Sequence, residues 1–114
     1  MLLNNMYSVI CLIGSTKYES LFRKLEEDFS LAGYLVFSPL VYTQSGDKPK
    51  CGEDKKVVLD HEAELKINKS DIVFVVDQDG YIGSSTRKQL EHALLLNKPV
   101  FYYSKGDFEK LTNF

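Results

Sequence analysis

Three adjacent hydroxyl residues, Ser84-Ser85-Thr86, and a carboxylate at Glu91 are the side chains of this chain best suited to chemistry. They follow the turn Asp77-Gln78-Asp79-Gly80-Tyr81-Ile82-Gly83, which itself follows a continuous apolar run. Hydroxyls and backbone N–H groups at a helix start donate to anions and sugar oxygens. A carboxylate beside them in a partly dry cleft acts as nucleophile or general base. Ser85 and Glu91 are six residues apart, so both face one pocket if the turn before the helix is loose. A Glu on a helix is normally solvated, but Leu90, Ala93, Leu94 and Leu95 surround Glu91 with apolar neighbours, and the expectation is that it points inward. Arg87 is an exposed helix residue by default; close to the turn it would meet a phosphate.

Two further groups accompany these residues. Gly14-Ser15-Thr16 is a small-residue turn after another apolar run, and its N–H groups can hold an anion or a sugar hydroxyl. Asp71 and Asp77 bracket the run Ile72–Val76. Asp77 ends it, where a carboxylate reaches a sugar or base or simply forms the turn; Asp71 begins it, at the end away from the expected site, and caps the preceding turn. Asp60, Glu62 and Glu64 fall mostly on a face read as solvated, although Asp60 or Glu64 could reach a ligand.

The elements that position these residues follow from hydrophobic periodicity. Tyr7–Ile13 is a continuous apolar run, the pattern of a parallel strand covered on both faces. A helix over about 18–31 buries Leu21, Phe22, Leu25 and Phe29 along one face and ends at Gly33 as a left-handed cap. Tyr34–Phe37 forms the second strand, closed by Ser38-Pro39, and the three elements make a right-handed βαβ unit. Residues 40–56 are irregular and read as a lid or a surface insertion. A helix over 57–69, a strand at 71–76, a helix from Ser84 or Ser85 to about Leu96 and a strand at 100–103 complete the series, and the tail adds one helical turn. The alternation predicts a single domain over 1–114: a three-layer α-β-α sandwich around a Rossmann-like parallel sheet of four strands, or five, in the order 2-1-3-4. Ligands in such sheets sit at the carboxyl ends of the strands.

Composition narrows the classes of function. At 114 residues the chain buries enough surface for a core without staples. A formal net charge of −2 argues against non-specific binding to a nucleic-acid polymer. The apolar runs are far shorter than the ~20 residues of a membrane span, and the first residues lack a basic region and cleavage site. Cys11 sits in an apolar run and Cys51 in a polar loop, while His61 and His92 are isolated, so no metal site is expected and the setting is read as reducing and cytoplasmic.

Over most of its length the chain resembles the nucleoside 2-deoxyribosyltransferase superfamily, through VICLIGS, HEAELKINKSDIVFVV and GYIGSSTRKQLEHAL. The resemblance implies a small Rossmann-type domain that forms homodimers with a shared active site and needs no cofactor. It implies cleavage of the N-glycosidic bond of a deoxynucleoside or nucleotide through a Glu nucleophile, matched by Glu91, with Asp71 matching a second site acid. Transferases of the family tend to carry Asp six residues before the Glu. The branch that hydrolyses nucleoside 5'-monophosphates tends to carry Ser, matched by Ser85, and Ser15 matches a second phosphate-side serine. Leu90 and Leu12-Ile13 depart from the family pattern. The implied chemistry is that of retaining glycosidases, a carboxylate attacking an oxocarbenium-like centre. Tyr81 or Tyr42 would stack on the base. Two other functions fit the same residues: a nucleotide-binding or sensing module without turnover, and a plain interaction domain. Fold alone does not separate them.

Overall fold

The computed structural model describes residues 7–39 and 53–112. Four parallel strands form one sheet: β1 (Val9–Gly14), β2 (Leu35–Phe37), β3 (Ile72–Val76) and β4 (Val100–Tyr102), in the order β2-β1-β3-β4. The 2-1-3-4 arrangement and the α/β class expected from the sequence are thus present, and the described residues contain no fifth strand. β1 pairs with β3 along its length, from Ile10 opposite Ile72 to Gly14 opposite Val76. The central pair β1–β3 is buried on both faces, as their unbroken apolar runs require.

Side chains alternate across these strands and feed two cores. Ile10, Leu12, Phe74 and Val76 face Phe22, Leu25 and Phe29 of α1 (Glu19–Leu31) and Leu111 of α4 (Asp107–Thr112). Cys11, Ile13, Val73 and Val75 face Ile67 of α2 (Glu53–Asn68) and Ala93 of α3 (Ser84–Leu95). Helices therefore cover both faces, and α2 and α3 share the second one.

Local chemistry sets the boundaries. Gly33, at φ 99°, takes the left-handed conformation that ends α1, and its N–H donates to Ser30 O at 3.0 Å. Gly14 has a different constraint: a Cβ there would lie 2.6 Å from Val76 O and 3.1 Å from Phe22 Cζ, so the end of β1 meets β3 and α1 too closely for a side chain. Helix α2 begins at Glu53, four residues before the expected start. The tail is more than one helical turn. A 3₁₀ turn at Tyr103–Lys105 leads into α4, which docks through buried Leu111, whose carbonyl accepts the Tyr34 hydroxyl at 2.7 Å. No helix of the described residues is long and apolar enough to cross a membrane.

Candidate ligand-binding cleft

Chain direction opens a cleft at the carboxyl end of β1. After β1 the chain turns to the first sheet face through α1, whereas α2 and α3 lie on the second face. Divergence of this kind leaves a crevice at the strand ends. A cavity of about 430 Å³ lies there, within the range of roughly 300–1,000 Å³ usual for small-ligand sites. Its floor is β1 from Cys11 to Gly14, its walls are α2 and the start of α3, and Ser38 and Pro39 border it beyond β2. At the far ends of the helices, His92 Nε2 and Asn68 Oδ1 lie 2.7 Å apart and tie α3 to α2.

One end of the cavity suits an anion. Gly83 is the N-cap of α3 and has no side chain to bond the first-turn N–H groups, and that turn holds no acidic residue. Those N–H groups have no acceptor within the helix, and the helix dipole places positive potential there. Ser84, Ser85 and Thr86 line the cavity beside them. From α2, Lys56 reaches across to Ser85 Oγ at 3.3 Å while pairing with Asp60 at 3.2 Å. Opposite stands Gly14-Ser15-Thr16, where buried Ser15 accepts the Lys17 N–H at 3.4 Å and caps the 3₁₀ turn Thr16–Tyr18. Tyr81 forms the rim, 44% exposed, with Lys17 Nζ 3.6 Å from its ring centre and Tyr18 packed edge-on.

The other end is drier. Cys11 and Ile13 of the floor, with Leu59 and Ala63 of α2, make it apolar. Burial pushes the Cys11 thiol up to about 12, against the pull of the Lys66 charge. Lys66 lines this end, and its ammonium donates to Ser38 O at 3.0 Å.

The residues singled out in the sequence divide into two groups. Gly14, Ser15, Tyr81, Gly83 and Ser85 all line the one cavity. Asp71, Asp77, Arg87 and Glu91 do not. Asp71 stands at the amino end of β3, where its Oδ2 accepts the Val9 N–H at 2.8 Å. Buried Asp77 is fully engaged, Oδ1 with Ser104 N–H at 2.8 Å and Oδ2 with Ser104 Oγ at 2.6 Å. Arg87 is exposed on α3.

The inward orientation expected of Glu91 is corrected by the structure: its side chain is exposed. The turn before α3 is not loose, because Ser84 and Ser85 already belong to the helix. At about 100° per residue, Glu91 then lies about 240° round the helix from Ser85. Thr86, Leu90 and Ala93 form the stripe that faces the core, and Glu91 projects from the opposite side with Leu95, which is 82% exposed. Beyond the first turn of α3, the side chain that shares the cavity with Ser85 is Gln89, one turn further on. Gln89, Lys56 and Lys66 were missed in the sequence. For Gln89 the signal was present, since Ser85 and Gln89 have i,i+4 spacing; Lys56 and Lys66 are placed by contacts distant in sequence. Tyr42, Cys51 and residues 40–52 of the loop expected over 40–56 lie outside the described residues, while residues 53–56, expected in that loop, begin α2. Among the described residues no group of His, Cys, Asp and Glu is arranged to hold a metal ion. No protein-family model matches this chain, and no curated protein matches it significantly.

Proposed function

We propose that the cleft binds a nucleoside 5'-monophosphate and that the chain acts as a nucleotide-binding module, without glycosidic cleavage by Glu91 in its own cleft. The phosphate would sit at the start of α3, against the first-turn N–H groups, Ser85 and the Lys56 ammonium, with the sugar near Gly14-Ser15-Thr16 and the base over the apolar floor. An ammonium and several oriented N–H donors make the charge-assisted bonds that suit a phosphate.

The observation that speaks against cleavage by Glu91 in its own cleft is the rotation of α3. Beyond the hydroxyls of its first turn, the side chain that α3 places at the cavity is Gln89, an amide that is neither nucleophile nor base at neutral pH, while Glu91 is exposed. The carboxylates that do line the cavity are on α2, and one of them, Asp60, is already paired with Lys56.

Calorimetric titration with nucleoside 5'-monophosphates and the matching nucleosides, with chromatography for free base, tests this reading. The monophosphates should bind at least about tenfold tighter than the nucleosides, since hydrogen bonds to charged groups are the strong ones. No base should appear. Equal affinity for nucleosides would remove the phosphate assignment. Base release that vanishes in Glu91→Ala would establish the glycosidase implied by the family resemblance, with Glu91 acting in the cleft of a second copy.

A further inference from the structure

Among the described residues, Lys66 is the cation at the apolar end of the cleft. Lys66 lies in the last turn of α2 and lines the cavity together with Cys11, Ile13, Leu59 and Ala63. Its ammonium is anchored to Ser38 O at 3.0 Å, which uses one of three N–H donors and fixes where the others point from. Glu62, one turn earlier, has the spacing for an i,i+4 ion pair, yet the Lys66 ammonium bonds the Ser38 carbonyl instead. Among the described residues no carboxylate forms a salt bridge with Lys66. A half-buried group with donors only, beside apolar side chains, is completed by an acceptor on the ligand.

We infer that Lys66 reads the base, selecting nucleotides that present a carbonyl oxygen at this edge over those that present an amino group. The inference rests on the proposed nucleotide site, because it assumes that the phosphate occupies the α3 end and so directs the base toward Ser38 and Lys66. A 6-oxopurine or a 4-oxopyrimidine offers an acceptor to the ammonium. A 6-aminopurine or a 4-aminopyrimidine turns N–H groups toward it, leaving donor against donor and the ammonium desolvated without return. Glu62 is the competing reader: it also lines the cavity, and a carboxylate accepts from an amino group. Glu62 is exposed, however, whereas Lys66 is half-buried and anchored, so the ammonium sets the preference.

The test uses two pairs of 5'-monophosphates that differ at this edge, inosine with adenosine and uridine with cytidine, titrated into wild type, Lys66→Met and Lys66→Arg. Wild type should bind the oxo member of each pair about tenfold more tightly, the size expected of one hydrogen bond to a charged group. Lys66→Met should bring each pair level by weakening the oxo nucleotides alone, and Lys66→Arg should retain a preference. If the Met variant does not fold, the wild-type preference and the Arg variant decide the matter. Equal or reversed preference in wild type, as a dominant Glu62 or a contact to the purine N7 would give, overturns the inference. A preference that survives in Lys66→Met overturns it too. In both cases monophosphates still bind and the nucleotide site stands; if no monophosphate binds, the nucleotide site falls and this inference with it.

Discussion

Two polar turns end the two central strands, and they do opposite work. After β1, Gly14-Ser15-Thr16 opens onto the cavity. After β3, Asp77 is closed off: its carboxylate takes both the N–H and the hydroxyl of Ser104, and its carbonyl accepts the Gly80 N–H at 2.8 Å. The chain diverges at both places, since α3 follows β3 on the second face and α4 follows β4 on the first. At β3 and β4 the Asp77–Ser104 latch bridges the gap, whereas the turn after β1 lines the cavity. A strand-end acid is therefore a ligand group only where the chain has not already used its oxygens. At the other end of β3, Asp71 is exposed and uses one oxygen, Oδ2, on the Val9 N–H.

Breaking the latch should have the largest effect on folding. Asp77→Ala removes two charge-assisted hydrogen bonds and leaves the Ser104 N–H without its acceptor, a loss of about 2–4 kcal/mol. Urea unfolding measures it, and nucleotide affinity of the folded fraction should stay within about threefold of wild type. A collapse of affinity at unchanged stability would return Asp77 to the ligand site. The opposite turn is probed by Gly14→Ala, whose new Cβ would lie 2.6 Å from Val76 O. Overpacking of this kind costs about 1–3 kcal/mol. Because the strain falls on the cavity wall, affinity should fall with stability, which distinguishes the open turn from the closed one. Asp71→Ala comes next, with about 1 kcal/mol lost for one exposed backbone bond and no change in affinity. A loss of binding there would favour the role that the family resemblance gives to Asp71.

The sheet was legible because its signal is redundant. Unbroken apolar runs at β1 and β3, an amphipathic α1 and the glycine at position 33 each point to the same fold, and strand order follows from the connections. The cavity was legible where it depends on backbone position, since Gly14, Ser15, Gly83 and Ser85 all line it. It failed where it depends on helix rotation. Leu94 and Leu95 read as part of a buried face around Glu91, but they are 53% and 82% exposed, so apolar character alone misjudged the inward side of α3. Lys66 had no local signal at all, since its partner Ser38 lies 28 residues away. The docking of α4 rests on an equally distant bond from Tyr34 to Leu111.

The smallest effect should come from the residue that the sequence made most prominent. Glu91 is exposed, makes no salt bridge among the described residues and stands on the side of α3 away from the cavity. Substitutions at such positions usually change stability by no more than about 0.5 kcal/mol. Glu91→Ala should therefore match wild type in urea unfolding and in monophosphate affinity, whereas Gln89→Leu, two residues away, should weaken binding while leaving folding nearly unchanged. The paired measurement sharpens the contrast between open and closed positions on one helix. Reversal of the two results, with Glu91→Ala weakening the ligand and Gln89→Leu silent, would mean that the surface carrying Glu91 completes a site in another copy of the chain. Repeating the Glu91→Ala titration across a range of protein concentrations separates that case, because a shared site loses affinity on dilution and a cleft contained in one chain does not.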